Sequence, residues 1–277
     1  MQADFMPKKK TVEYPTISVV LATYNEAQNI GRCLDSVKDW ASEIVVVDGT
    51  SSDATADIAR SYGAQVITTT NKPIFHINKQ LAMDAANGDI VLQLDADEVV
   101  DSELQSFITT FQKQYKKEVY DTKNQPVAWW IKRKNIFLGR FLRKGGQYPD
   151  PVIRLYLRGF AKLPQKDVHE QMVVSGRTQF AAGHLIHFSN PTFGDYLRKW
   201  NAYSSLAAMD LYTAKKQLGF SMLMQYLFIK PLATFFLIFF RHKGFIDGFP
   251  GFIFALMSGI FHQVTLLKVW ELKQQTK

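Results

Sequence analysis

Two apolar runs in this chain end in acids: Ile44-Val45-Val46-Val47-Asp48 and Ile90-Val91-Leu92-Gln93-Leu94-Asp95-Ala96-Asp97-Glu98. Runs of this length, bounded by polar residues, are expected to be buried strands of a largely parallel sheet. Ligands of open α/β sheets bind at the carboxyl ends of the strands, so both acid clusters are expected to open into one crevice. Asp95 and Asp97 are alternate residues, and an extended backbone aims alternate side chains the same way. Two converging carboxylates repel unless a cation sits between them, and a hard divalent metal is the simplest candidate. Mg²⁺ or Mn²⁺ held by one or two carboxylates usually completes its shell with phosphate oxygens. The chemistry that suits these residues is therefore the binding of a metal-chelated phosphate compound.

Such acids need a scaffold, and the sequence around them alternates accordingly. Ile17 to Thr23 reads as a first strand, and Asn25-Glu26-Ala27 opens a helix with Ile30, Leu34 and Val37 on one face. After Asp48, Gly49-Thr50-Ser51-Ser52-Asp53 turns into a helix carrying Ala56, Ile58 and Ala59, with Ser51, Ser52 or Asp53 as its cap. Val66 to Thr68 is a short third strand, and Asn78 to Ala86 is a helix ending at Asn87-Gly88. Strand and helix alternate through roughly the first hundred residues, which is the doubly wound pattern. From Val119 to His187 the segments shorten, with strands expected at Val127–Ile131 and Ile153–Leu157 and turns at Gly145-Gly146 and Pro149-Asp150-Pro151.

The last quarter differs again. Leu223 to Phe240 is almost wholly apolar but interrupted by Lys230-Pro231, and Phe249 to Leu267 is a second such run containing Gly259, His262 and Gln263. Each approaches the length that crosses a bilayer, while the polar residues within them weigh against crossing. Arg241-His242-Lys243 lies between them and Lys268 follows. Basic residues flanking aromatic-rich helices fit an element lying in a membrane interface. Interfacial or re-entrant insertion is the expected arrangement, ahead of a soluble helical layer and of full spanning. The 277 residues are 47% hydrophobic and 21% charged, enough for a sizeable core, and the net charge of +8 favours anionic partners. A lone Cys33 excludes an internal disulfide framework, and Met1 to Val12 is too polar for a signal peptide, so the cytoplasm is expected. Lys8-Lys9-Lys10 is read as part of a solvated tail.

Three blocks now stand in order: Ser18-Val19-Val20-Leu21-Ala22-Thr23-Tyr24-Asn25-Glu26, Val47-Asp48-Gly49-Thr50-Ser51-Ser52-Asp53-Ala54-Thr55, and Leu94-Asp95-Ala96-Asp97-Glu98. Together they resemble the inverting glycosyltransferases of family 2, which have the GT-A fold. Arg154-Leu155-Tyr156, Val168-His169-Glu170, His184 to His187, Tyr196-Leu197-Arg198-Lys199, Gly244 to Gly248 and Trp270-Glu271 resemble the subgroup related to lipopolysaccharide-core β-glucosyltransferases. The resemblance implies a Rossmann-like, mostly parallel α/β sheet with helices on both faces, followed by a C-terminal membrane-associated helical region. It implies a tail over residues 1–14 and a catalytic domain over 15–190, with nucleotide-sugar and acceptor halves dividing at 100/101. Apolar or amphipathic helices would then occupy 191–277.

The resemblance also implies a nucleoside-diphosphate sugar, usually a uridine one. Ala22, Thr23, Tyr24 and Glu26 would line the base and ribose pocket, and Asp48 would accept a hydrogen bond from uracil. Lys79 is read either as a basic residue facing the nucleotide or as a helix-surface lysine. Asp97 is the preferred metal ligand, with Asp95 nearer the ribose or the metal's waters and Ala96 between them; Glu98 is read as capping the helix that follows. Arg154, Arg198 or Lys199 could stabilise the leaving diphosphate. The acceptor hydroxyl needs a general base, for which Glu170 is chosen over Asp150 and Asp167, with His169 in support. His184 and His187 are read as alternate residues of a strand, structural in the main, with one facing the diphosphate. A single displacement predicts inversion, with a saccharide or lipid-linked acceptor at the inner face of the plasma membrane and no nucleic-acid partner. The alternatives are a sugar-nucleotide nucleotidyltransferase, which would need a Gly-rich basic loop where Thr23-Tyr24-Asn25-Glu26 stands, and a non-enzymatic membrane-associated module.

Overall fold

The computed structural model of the chain describes residues 14–165, 171–190, 192–214 and 218–275. In chain order the elements are β1 (Ile17–Thr23), α1 (Ile30–Asp35), β2 (Glu43–Asp48), α2 (Thr55–Ser61), β3 (Gln65–Thr68), α3 (Phe75–Asp84) and β4 (Ile90–Leu94). They continue with β5 (Glu98–Val100), α4 (Ser102–Gln114), β6 (Pro126–Phe137), β7 (Arg140–Phe141) and β8 (Asp150–Leu157). Then come β9 (Ala161–Lys162), β10 (Val173–Val174), β11 (Arg177–Asn190) and α5 (Phe193–Thr213), followed by two apolar helices, Phe220–Arg241 and Gly244–Gln275. The described residues fall into two compact units. One is drawn from 1–96, 102–131 and 153–183, the other from 97–101, 132–152 and 184–277.

The first unit carries a mixed sheet of the GT-A type. Its strands lie in the order β3-β2-β1-β4-β8-β6-β11. The first four are mutually parallel, and β8 runs antiparallel to β4. Val19, Val20, Leu21, Val45, Val46, Val47, Val91 and Leu92 are fully buried, which is why these strands read as continuous apolar runs rather than as alternating ones. Thr23 is paired in register with Asp48, and Leu21 with Leu94. The polar residues that follow these positions therefore leave the sheet along one edge, its carboxyl end.

The helix expected after the acidic block, α4, starts at Ser102 and packs on this sheet through Leu104 and Ile108, both fully buried. Its 3.6-residue signal is present at Leu104, Ile108 and Phe111, adjoining the acidic block. Gly183 on β11 lies against its first turn. At φ +83° it occupies the left-handed region, and a Cβ there would collide with the Leu104 backbone.

In the second unit β5 pairs antiparallel with β11, setting His187 opposite Glu98 and Leu185 opposite Val100. Glu98 is thus a buried strand residue, ion-paired to Arg133 at 3.6 Å, and not the helix cap expected of it. The strand forms because Val99 and Val100 continue an apolar pattern that the short Asp-Ala-Asp turn merely interrupts. β6 and β7 form a hairpin whose turn, Leu138-Gly139, has both residues at positive φ. Phe137, Leu142 and Tyr196 are buried here against Trp200, Ile253, Phe254 and Met257.

Lys230-Pro231 does not break the first apolar helix, which runs on from Phe220 to Arg241. A π-helical stretch at Gln225–Ile229 ends two residues before the proline, and a second follows at Leu237–Arg241; the Leu227 carbonyl, which the proline's missing N–H leaves without its usual helical donor, accepts from Gln263. The Lys230 ammonium lies 3.6 Å from the centre of the Tyr226 ring, a cation–π contact that gives the charge a partner on an apolar helix. Gly259 lets the second apolar helix approach the first, since a Cβ there would sit 2.7 Å from the Pro231 carbonyl oxygen. Thr234 meets His262 at 3.0 Å, and Gln263 donates to the Leu227 carbonyl at 2.9 Å. The polar residues inside both runs therefore tie the two helices together.

Candidate active site

The loops after β1 and β2 are laced together by short polar side chains. Asn25, at φ +55°, accepts from the Ser52 amide at 2.8 Å, and its own amide donates to the Ser51 hydroxyl at 2.8 Å. Asparagine tolerates the left-handed region better than bulkier residues, which accounts for its place at the bend. The Glu26 amide donates to the Thr55 hydroxyl at 2.8 Å, and the Ala27 amide donates to Asp53 at 3.2 Å. Asp53 also accepts from the Thr55 amide at 3.0 Å. It braces the two loops, while Ala54 occupies the cap position of α2 with no side-chain bond. Burial opposes ionisation of Asp53, but the bonds from Thr55 and Ala27 outweigh it and hold its carboxyl below the ordinary value.

Asp48 ends β2 almost wholly buried. It accepts from the Ser51 amide at 2.8 Å, the Ser51 hydroxyl at 2.6 Å and the Thr23 hydroxyl at 3.2 Å. A carboxylate offers about four acceptor sites, so these three bonds fix the group and leave capacity for one more donor. Tyr24, the residue after Thr23, stands exposed, an open ring on which a base could stack. Glu26 accepts from the Asn29 side chain at 2.8 Å. Ala22 is partly buried, and Ala96 is buried.

Asp95 follows β4 and lies between two cations. Lys79 forms an ion pair with one carboxylate oxygen, and Arg154 donates to the other at 2.5 Å. Gln93 donates to Asp95 at 3.3 Å and to the Leu94 carbonyl at 2.9 Å, and it accepts from Arg154. Lys79 and Arg154 are each only 8% exposed, so Lys79 is a buried member of this cluster and not a helix-surface lysine. Its place on α3, with the ammonium 4.8 Å from the Phe75 ring centre, brings it to the end of β4. Two buried cations meeting one carboxylate make a region suited to anionic ligands.

The chain then turns at Ala96-Asp97 instead of staying extended, so the alternate-residue argument for Asp95 and Asp97 does not hold. Asp97 lies 3.5 Å from His187 Nε2. His187 Nδ1 is 2.7 Å from the Asn135 side-chain oxygen, and the Asn135 amide nitrogen donates to Asp150 at 3.0 Å. That last bond fixes which way Asn135 points, so its oxygen accepts from Nδ1–H. Nε2 is then the ring atom that faces the Asp97 carboxylate. A carboxylate oxygen and an imidazole nitrogen placed this way can share a proton or a metal ion. This oxygen-and-nitrogen pair is a donor set that could ligate Mg²⁺ or Mn²⁺, whereas both Asp95 oxygens are engaged by Lys79 and Arg154.

His184 and His187 are three residues apart on β11, so they face opposite sides rather than acting as alternate residues. His184 meets Asp101 at 3.2 Å and the Tyr148 hydroxyl at 3.0 Å. Asp150 is ion-paired to Arg133 at 2.8 Å. Arg198 pairs with Asp195 at 2.6 Å on the exposed surface of α5, and Lys199 donates to the Ser189 carbonyl at 2.6 Å. Glu170, Asp167 and His169 lie outside the described residues. Gln93 and Asn135 were not singled out in the sequence; a polar residue inside the apolar run of β4 was the available signal for Gln93.

The family model described as glycosyl transferase family 2 matches residues 18–170. The chain is 30% identical to an uncharacterized glycosyltransferase of Rickettsia bellii, over 94% of this chain and 87% of that protein. It is 28% identical to the lipopolysaccharide core biosynthesis glycosyltransferase LpsC of Rhizobium meliloti, over 92% of each. Among solved structures it is similar to glucosyl-3-phosphoglycerate synthase from Mycobacterium tuberculosis in complex with Mn²⁺, UDP-glucose and glycerol 3-phosphate. That likeness has a TM-score of 0.37 at 22% identity, over 53% of this chain and 58% of that one. The three signature blocks, their placement at the carboxyl edge of the sheet and the match over more than half of the chain lead to one assignment: this protein is a glycosyltransferase and belongs to family 2.

Proposed function

We infer that the chain is an inverting hexosyltransferase that uses a UDP-sugar donor and Mg²⁺ or Mn²⁺, and that its acceptor is lipid-linked or of the lipopolysaccharide-core type. The observation that carries this reading is the Asp95 cluster at the end of β4, followed two residues later by Asp97 with its histidine. Ala22, Thr23, Tyr24 and Glu26 frame the nucleoside, and Asp48 uses its remaining acceptor capacity on the uracil ring. Asp95, Lys79 and Arg154 hold the ribose and diphosphate end, with Ala96 leaving room beside them. Asp97 and His187 would hold the metal. When bound, the metal supplies Lewis-acid stabilisation of the leaving diphosphate.

Glu170 takes the proton of the acceptor hydroxyl as it attacks the anomeric carbon from the face opposite the leaving group. The developing positive charge on the sugar spreads into the ring oxygen, as in other glycosyl transfers. One displacement inverts the centre, so an α-linked donor gives a β-glycoside. The likeness to LpsC, whose name places it in core lipopolysaccharide synthesis, supports an acceptor of that type.

The apolar helices support attachment to the cytoplasmic face of a membrane. Only 11% and 28% of their most apolar windows are buried. An arrangement in the plane of the interface fits their anchorage better than crossing. Along the second helix, Trp200 of α5 donates to the Met257 carbonyl at 3.2 Å, and Lys268 donates to Asn201, Ser204 and Ser205 of α5. Crossing would carry Arg198 and Lys199, neighbours of Trp200, to the depth of the helix centre, at high cost. Calorimetric titration with UDP and GDP in the presence of Mn²⁺ tests the donor reading. UDP is expected to bind more tightly, and Asp48→Ala to abolish that preference; equal binding of the two nucleotides overturns it.

A further inference from the structure

The turn between the apolar helices is held by a hairpin distant in sequence. Lys144 donates its amide to Asp247 at 2.9 Å, Gly145 donates to the His242 carbonyl at 2.9 Å, and the Arg140 guanidinium reaches the Ile246 carbonyl at 3.4 Å. The hairpin is itself fixed, because Arg140 of β7 is in register with Phe137 of β6. This junction brings together Arg140, Arg143 and Lys144 from one segment and Arg241, His242 and Lys243 from the other, all exposed. The acid of the turn, Asp247, is 1% exposed and turned inward, where it accepts from Lys144. Exposed rings border the same place: Phe240 is 53% exposed, Phe245 49% and Phe249 69%.

We propose that these two segments form one cationic rim that docks on the headgroups of an anionic lipid leaflet, with the bordering phenylalanines entering it. A single flanking charge run would be unremarkable on a solvated surface. Here two runs lying about a hundred residues apart in sequence are pinned together, at the tip of the apolar hairpin and beside rings of interfacial character. Basic residues near an anionic surface contribute roughly 1 kcal/mol each. The charge complementarity therefore selects anionic bilayers over neutral ones and over an uncharged protein surface. The inference rests on the membrane-associated reading above and adds to it the headgroup charge that the chain selects.

The test is flotation of the full chain with phosphatidylcholine vesicles prepared with and without phosphatidylglycerol. Binding is expected to favour the anionic vesicles and to fall as salt rises, a readout that needs no substitution. In the double variant Arg143→Gln with Arg241→Gln, partition onto the anionic vesicles is expected to weaken roughly thirtyfold. Its UDP release and its thermal unfolding midpoint should stay unchanged. Equal binding to both kinds of vesicle, or full binding by the double variant, overturns the rim while leaving membrane association intact. Binding to neither, with self-association in sedimentation, makes this face a contact between copies and overturns both.

Discussion

Arg154 donates to Asp95 across 2.5 Å while both side chains are largely withdrawn from water, and Lys79 holds the other oxygen of the same carboxylate. A partly buried carboxylate shared by two buried cations is a structural commitment: removing the acid takes away a counter-charge that both cations use. Asp97 has a different setting, 3.5 Å from the His187 imidazole. The proposed function gives the two acids of this three-residue motif different roles, Asp95 mainly in anchoring the cluster and Asp97 mainly in binding.

The two substitutions should therefore separate stability from activity. Asp95→Asn is expected to destabilise the fold by roughly 2–4 kcal/mol, because it strands Lys79 and Arg154. Asp97→Asn should cost about 1 kcal/mol or less and act on turnover instead. Urea denaturation of the two variants measures the difference, and equal losses would remove the distinction.

Asn135 should act through His187. Asn135→Ala removes the acceptor that fixes the imidazole tautomer, and outer partners of metal ligands typically contribute tenfold to a hundredfold in affinity. Mn²⁺ affinity measured by electron paramagnetic resonance should fall by about that factor, with UDP affinity in the absence of metal little changed.

Glu43 sets a pH dependence far from the chemistry. Partial burial opposes its ionisation, but bonds from Ser18, Asn87 and Gly88 prevail and hold its carboxyl below the ordinary value of 4.5. A depressed carboxyl contributes stability above its unfolded value and loses it as pH falls through the folded one. Glu43→Gln should lower stability by roughly 1–3 kcal/mol at neutral pH. It should also reduce the further loss seen on acidification below 4.5, as followed by denaturation at a series of pH values.

Gly183→Ala tests the contact with α4. The residue is left-handed, and an added Cβ meets the Leu104 backbone, which has no flexible end to give way. A loss on the order of 3 kcal/mol is expected. A neutral outcome in thermal unfolding would mean that α4 can shift away from β11.

Much of the first unit was legible because its strands are buried on both faces. Val45 to Val47 and Ile90 to Leu92 carry that fact in their composition, and the acids that follow mark where they end. The partners of those acids were less legible. Lys79 comes from a helix and Arg154 from an antiparallel strand about sixty residues beyond Asp95, and no local pattern announces that they converge on it. The turn at Ala96-Asp97 defeated an argument that needed extended backbone, and Glu98 entered a strand that its neighbours Val99 and Val100 favoured. His184 and His187 lie close in sequence, but a spacing of three places them on opposite faces of β11. Pro231 looked like a break because its own rule is local; the donor that the Leu227 carbonyl then lacks comes from Gln263, distant in sequence.

The proposed function makes transfer from a UDP-sugar depend on a metal that Asp97 would help to hold. The most direct measurement is UDP release from a panel of UDP-sugars, with and without Mn²⁺, by the unaltered chain and by Asp97→Ala. Metal-dependent release from one donor, reduced at least about a hundredfold in the variant while its unfolding midpoint is kept, is the predicted result. Release that is independent of metal, or equal in the variant, would rule out a metal role for Asp97.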